Sequence, residues 1–499
     1  MTVERLTYRF GPLERRGILG QIRGGQAGAV AAGAVAAIVV LDRVPTAAGA
    51  FVGTLLITVS LLVAFAPVGR RTLDEWIPVV VTFGLRGARG RLSFRSRAPT
   101  CGMLATERGR PTRRLVGHPR PDAPAALKGV GITDRPYRDR PIGILGEHRG
   151  RRLTAVLACR VLAFSLLDAD AQERRLAGWG LVLSGAAAGA IRRIQWIERT
   201  GPAQGDELAR WLHDERDPSV PLRGTPMIES YLELIGATTK ATQEHEVLIA
   251  VQIDGRRVVD RGPEPAAKAL IEQTERVAQG LEAAEVSVLG ALGAGQLART
   301  LRTAFDPYAR AELTAVEAAE PGRDGLAEAN AWPLGAREHW DHYCTDGASH
   351  ATFWIGGWPR VDVSPMFMDA LLGRSNVVRT VAVTFEPIAP ERSTRDAEAD
   401  VTRDRADREL RHRFGQAETA RQRQAQEAAT RREAELAAGH AEVRLAGFVT
   451  ISGRDRDDLR LACSEIHGQA ARARLELHRM YGQQAEAFAF TLPLCRGLR

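Results

Sequence analysis

The chain has 499 residues, room for two or three domains with cores of their own, and sets 68 basic residues against 60 acidic ones. All the basic residues except Lys128, Lys240 and Lys268 are arginine. Interleaved as they are with acidic residues, they read as the mark of a GC-rich genome rather than of a nucleic-acid groove. The five cysteines, Cys101, Cys159, Cys344, Cys463 and Cys495, are scattered and odd in number, which excludes a disulfide framework and suits a reducing compartment.

Residues 1–23 form a basic N-terminal segment ahead of two uncharged apolar stretches, Gly24 to Leu41 and Ala47 to Val68. Each is close to the ~20 residues that an α-helix needs to cross a bilayer. The link Asp42 to Thr46 is five residues long and contains Pro45, so the pair is expected to form an antiparallel transmembrane hairpin over 24–68. Arginine flanks it on both sides: Arg5, Arg9, Arg15, Arg16 and Arg23 before, and Arg70, Arg71, Arg86, Arg89, Arg91, Arg95 and Arg97 after. The positive-inside rule then predicts a multi-pass protein of the plasma membrane with both termini cytoplasmic. A cleaved signal peptide competes for the first stretch, and a buried hairpin of a soluble protein competes for both. Gly24, Gly28 and Gly33 belong to a series of small residues four apart, a spacing that lets a second helix approach closely within a membrane. The alternative is simple abundance, since the chain has 49 glycines.

Residues 69–140 read as an interfacial segment and a basic linker. Trp76 would sit at headgroup level beside Arg70 and Arg71, with anionic lipid headgroups as partner. From Arg95 to Arg140 the chain is rich in arginine and proline and reads as linker and loops. A first α/β domain is expected over 141–305. Its strands are Ile142 to Leu145, Leu153 to Leu167, Ala190 to Arg199, Glu246 to Ile253 and Val286 to Leu292. Its helices are Asp168 to Gly185, Asp206 to Asp214, Met227 to Lys240, Pro265 to Ala284 and Gly295 to Phe305. A second domain over 306–499 opens with a loop-like region, Asp306 to Arg337. Strands follow at Ala348 to Ile355, Arg379 to Ile388, Val443 to Ser452 and Ala473 to Met480, with helices at Asp455 to Arg472 and near the end. Inserted in it is a charged helical hairpin, 391–438, turning near Gly415. The fold class is thus a membrane-anchored α/β (α+β) protein with split β-α-β layers.

No catalytic constellation emerges. A phosphate loop needs a lysine straight after a glycine, and none of the three lysines has one. The run Gly290 to Gly295 has no lysine and breaks the dinucleotide spacing. His339, His342 and Cys344, with His350 nearby, cluster in sequence but match no common zinc spacing, although the two histidines would share a helix face. Glu244-His245-Glu246 reads as a solvated strand end. No nucleophile elbow is present. The expectation is therefore no enzyme, no cofactor and no metal. Trp354 and Trp358 bracket a turn, where core packing outweighs an interface anchor.

The order of a two-span hairpin, Asp74-Glu75-Trp76-Ile77-Pro78, Ile194-Gln195-Trp196-Ile197-Glu198-Arg199, Trp358-Pro359-Arg360 and the closing Gly482-Gln483-Gln484 with Thr491 to Leu498 resembles a known family. These are membrane proteins encoded beside conjugation-type (type IV secretion-like) genes of high-GC Gram-positive bacteria. The hairpin is similar to the small PrgI-type membrane subunit. The remainder resembles the non-catalytic N-terminal domain of the secretion ATPase, whose motor domain would follow a leucine-proline ending like this one. The resemblance implies an oligomeric, non-catalytic scaffold or docking subunit working with other membrane subunits and a separate secretion-type ATPase. Trp196, Trp354 and Trp358 would serve structure or interface. The competing reading is a membrane-anchored nucleic-acid-binding protein handling transferred DNA through the basic linker, which lacks aromatics for base stacking.

Overall fold

The computed structural model describes residues 24–68, 71–96, 123–148, 150–160, 164–187, 189–202, 226–227, 230, 243–258, 262–310, 313, 328–359, 361–373, 375–395, 399, 402, 430–432, 434, 436 and 441–498. Residues 1–23, most of the basic linker, the helix expected at 206–214, most of that at 227–240 and most of the charged hairpin 391–438 lie outside them. The chain divides into two compact units. The smaller, within Pro12–Leu92, holds helices α1 (Gly24–Arg43), α2 (Ala47–Phe65) and α3 (Leu73–Ala88) and a two-residue ladder of β1 (Pro67–Val68) with β2 (Arg71–Thr72).

The larger unit is built on one 13-stranded sheet. Its strands are β3 (Ser93–Arg95), β4 (Gly131–Arg135), β5 (Ile142–Glu147), β6 (Arg152–Arg160), β7 (Ile191–Pro202), β8 (Gln243–Asp254) and β9 (Ser287–Ala291), then β10 (Gly335–Glu338), β11 (Tyr343–Cys344), β12 (Ser349–Gly357), β13 (Val378–Pro387), β14 (Val443–Gly453) and β15 (Glu476–Arg479). They lie in the order β3-β10-β11-β12-β14-β13-β7-β8-β6-β5-β4, with β15 on β12 and β9 on β6, and every pairing is antiparallel. The helices are α4 (Ala169–Ala187), α5 (Pro263–Ala283), α6 (Ala294–Phe305), α7 (Asp369–Leu372), α8 (Arg456–Arg472) and α9 (Gln484–Ala489). The fold class is α+β.

The order of elements repeats. In the first half, β4 and β5 precede β6-α4-β7 and β8-α5-β9, and α6 closes the unit. In the second half, β10 and β11 precede β12-α7-β13 and β14-α8-β15, and α9 closes it. Within each half the four main strands stand in the order fourth-first-third-second, which is the split β-α-β, ferredoxin-like arrangement. The halves meet through their second strands, β7 and β13, in register from Thr200↔Arg379 to Ile194↔Phe385. Equivalent strands running antiparallel across a seam relate the halves by a topological two-fold through the sheet.

Alternation along the strands divides the core. Ile194, Ile249 and Val251 face one side and pack with Val182 of α4 and Val277 and Leu281 of α5. Val381, Val449 and Ile451 meet Leu371 of α7 and Leu459, Cys463 and Ile466 of α8. The opposite parity (Ile197, Leu248, Ala250 and Ala382) packs against Leu297, Leu301 and Phe305 of α6, Phe488 of α9, and Leu492, Leu494 and Cys495 of the closing segment. Burial on both faces explains the unbroken apolar run in β8.

The covered face also carries buried polar residues, and the closing segment satisfies them. Gln195 donates to the carbonyl of Phe490 at 2.7 Å and accepts from the N–H of Cys495 at 2.7 Å. Gln252 donates to Leu494 O at 3.0 Å and Arg193 to Leu498 O at 2.8 Å. Arg496 lays its guanidinium on the buried Glu147, Nε to Oε1 at 2.7 Å, and donates to Ala126 O at 2.7 Å.

Three expectations need correction. Part of the stretch read as loops, Arg95 to Arg140, is strand β4, whose alternation is hidden because only Ile132 is buried in it. The strand expected over Leu153 to Leu167 ends at Arg160, followed by a 3-10 turn at Phe164–Leu166; continuous burial from Leu153 to Leu157 masked its period. The loop-like region Asp306 to Arg337 contains a 3-10 turn, Glu328–Ala331, and the start of β10.

Two outcomes follow for the detergent-solubilised protein. Arg496→Ala strands the Glu147 carboxylate in the core, so unfolding should become easier by about 3 kcal/mol in denaturant titrations, with Arg496→Lys losing less. His350 is fully buried, its Nδ1 2.8 Å from Ser452 Oγ and its Nε2 3.0 Å from Phe305 O. Burial lowers its pKa from 6.5 to about 4. Between those values the unfolded chain binds a proton that the folded chain refuses, so stability is fully present above pH 6.5 and falls as the pH drops toward 4. The loss is on the order of 3 kcal/mol, and His350→Gln should be less stable at neutral pH but flatter across that window.

Candidate functional site

The smaller unit presents the features from which a function can be read. α1 and α2 have 20 and 19 residues, about 30 Å each, the thickness of a hydrocarbon core. Thr46 caps α2, its Oγ1 accepting from Gly49 N–H at 3.4 Å. Gly49 itself must lack a side chain, since a Cβ there would sit 1.9 Å from Val44 O. The two helices meet along a seam of small and polar residues. A Cβ on Gly33 would lie 2.3 Å from Ser60 Oγ, Gly53 faces Ala37, and Gln26 donates to Ala64 O at 3.0 Å. Outside the seam the helices turn large apolar side chains outward, among them Ile38, Phe51, Leu55 and Leu62. Such a surface needs lipid or protein around it.

Of the three glycines singled out in the sequence, Gly33 lies in this seam, whereas Gly24 and Gly28 are exposed and a Cβ on Gly28 meets nothing within 4 Å. Gln26, Gly53, Ser60 and Ala64 were missed, although Gln26 and Ser60 are among the few polar residues of either helix.

α3 carries Asp74 and Glu75 in its first turn and Arg86 in its last, in line with the helix dipole. Ile77, Val81 and Leu85, four apart, form an exposed apolar ridge joined by Val80. Trp76 stands at the start of this helix with the Arg71 guanidinium 5.4 Å from its ring centre, a cation–π contact. Arg70 lies outside the described residues.

In the larger unit Trp196 stands at the β7–β13 seam and packs against the cores of both halves. Trp358 packs on the second core, and Trp354 meets His478 edge-on at 5.7 Å between ring centres. The strand end at His245 is a structural cluster: His245 Nδ1 lies 3.2 Å from Glu198 and 3.3 Å from Thr200 Oγ1, while Glu246 pairs with Arg199 and Arg310. At the Gly290 to Gly295 run, the N-terminus of α6 is filled by the chain itself, Ala294 N–H donating to Asp134 at 2.8 Å and Gly293 N–H to Gln296 at 3.1 Å.

His339 and His342 lie on the β10–β11 hairpin, not on a helix, because the antiparallel pairing of Glu338 with Tyr343 leaves them as the turn. Their rings stack at 4.3 Å and 3°. Burial works to raise the pKa of Asp341, but the hydrogen bond from His342 and the nearby Arg479 guanidinium outweigh it and hold the carboxyl below the usual range.

Residues 241–355, running from β8 through β12, match the family model described as "Putative type VII ESX secretion system translocon, EccE". None of the curated proteins matches the chain. The match covers roughly a quarter of the chain. Together with the apolar hairpin it points to a membrane-associated subunit of a secretion system. It also corrects the type IV, conjugation-type expectation, because the machinery it points to is type VII.

The hairpin geometry separates two substitutions. Gly33→Leu should pry α1 from α2 and shift the chain toward aggregation or degradation in membranes. Gly28→Leu, facing open space, should leave the hairpin intact. Cysteine cross-linking between positions 37 and 53, on a background stripped of native cysteines, should weaken several-fold in the first variant and hold in the second.

Proposed function

We propose that the chain is a non-catalytic membrane scaffold of an ESX-type (type VII) secretion translocon. α1 and α2 span the membrane, both termini are cytoplasmic, and the sheet unit serves as a docking platform for other membrane subunits and for a secretion ATPase supplied in trans. The observation that carries this reading is the translocon-family match over residues 241–355 in a chain that also bears two bilayer-length apolar helices. The arginine asymmetry around Asp42 to Thr46 supports the orientation. The apolar ridge of α3, with Trp76 and Arg71 at its start, suits an interfacial helix against anionic headgroups. Among the described residues no glycine-lysine phosphate loop occurs, so the energy for transport would come from a partner.

The test is purification from cross-linked native membranes, with the attached proteins identified and nucleotide turnover measured. The expected result is a complex with ESX-type membrane subunits and an ATPase, and no ATP hydrolysis by the isolated chain. Saturable hydrolysis by the isolated chain, or a complex without ESX components, would overturn the reading. Reporter fusions at Pro45 and after Leu498 should read outside and cytoplasm respectively, and an exterior signal from the second would sink the orientation.

A further inference from the structure

The β10–β11 turn gathers His339, His342 and Cys344 so that one ligand atom of each lies within 4.8 Å of the other two. The local backbone accounts for the convergence. His342 and Cys344 are two apart on an extended segment and share a face. His339 N–H donates to His342 O at 2.8 Å, closing the turn with the two rings stacked, and rotation of the partly exposed His339 ring out of that stack would bring its in-plane lone pair onto an ion shared with His342. Nδ1 of His342 is engaged by Asp341 Oδ1 at 2.7 Å, which leaves Nε2 as the nitrogen available to a ligand. A carboxylate on the far nitrogen of a ligating histidine is the usual way such a ring is oriented.

The repeat gives this turn a counterpart. The turn in the equivalent place of the first half, residues 136–141, is tied to α5 by two hydrogen bonds to Glu275 Oε1, from Tyr137 Oη and Arg138 Nη2, both at 2.9 Å. In the second half the turn is held by ion pairs instead, Asp341 reaching Arg456 of α8 and Arg479 of β15 at 3.9 and 3.7 Å. The carboxylate that holds this turn also holds His342, so the three converging side chains sit on an anchored turn.

We propose that His339, His342 and Cys344 bind one Zn²⁺, with Asp341 positioning His342 and a water in the fourth place. Two imidazoles and a thiolate select a borderline metal such as zinc over magnesium or calcium, which require oxygen ligands. Binding replaces the Cys344 S–H bond with an S–Zn bond and releases that proton to solvent, with no change of oxidation state. The site pins the β10–β11 turn and stands independently of the secretion reading.

The experiment uses untagged full-length protein in detergent, stripped with chelator and titrated with Co²⁺ as a spectroscopic stand-in, then with Zn²⁺. One equivalent should bind per chain, with a tetrahedral visible spectrum and a thiolate-to-cobalt charge-transfer band that Zn²⁺ abolishes. Cys344→Ser should lose the band, and the partly exposed His339→Gln should weaken binding at least about tenfold. Asp341→Asn should weaken it roughly 10- to 100-fold while keeping the band. Far-UV circular dichroism identical to that of the unaltered protein confirms that each variant is folded. Failure of the folded, unaltered protein to bind one equivalent, or a charge-transfer band that survives in Cys344→Ser, would overturn the proposal.

Discussion

The antiparallel pairing of β7 with β13 is the constraint on which the sheet unit depends. It turns two strands that would each be an exposed edge into the centre of one sheet. Once they are central, both of their faces must be covered. Helices from both halves cover one face, and Trp196 contacts the two cores there. The other face receives α6, α9 and the closing segment. That second covering is what allows Arg193, Gln195 and Gln252 to be buried, because main-chain carbonyls of Phe490, Leu494, Cys495 and Leu498 take up their hydrogen bonds. The closing segment is thus part of the core, held by side chains roughly 300 positions earlier.

Much of this is legible in the sequence, in the helices from one-sided burial and in the long central strands from apolar, β-branched runs. α5 and α8 show helical periodicity and were located within a few residues, as were β7, β13 and β14. The second half was readable as another β-α-β-α-β layer with an insertion, which is the repeat seen in the sheet. What escaped was set by distant partners. β4 has a single buried residue, β11 has only two residues, and neither carries a period. The turn bearing His339 and His342 looked helical because a spacing of three suits a helix as well as a hairpin. The pairing of Gln195 with the segment after Phe490 left no local trace at all, since a glutamine in a strand is ordinarily turned to solvent.

In the apolar hairpin the series of small residues four apart meets the neighbouring helix over only part of its length. Gly33 is consumed by contact with Ser60 in the neighbouring helix, while Gly28 stays open. The same spacing therefore has two physical meanings along one helix: one turn closes the hairpin and another remains available. Gln26 illustrates why glycine and alanine alone were an incomplete guide. A polar side chain with an internal carbonyl partner costs little in an apolar medium and fixes the register of the two helices.

The antiparallel seam also decides where the chain's two long excursions depart. It leaves the sheet after Pro202 and returns at Gln243, and it leaves again after Pro387 and returns at Val443. Thr200 lies opposite Arg379, near the start of β13, so the ends of β7 and β13 point to opposite rims of the sheet. The two departures are therefore related as the two halves are, one at each rim of the sheet, and each lies beside the start of the strand that follows it, Pro202 opposite Gln243 and Pro387 opposite Val443.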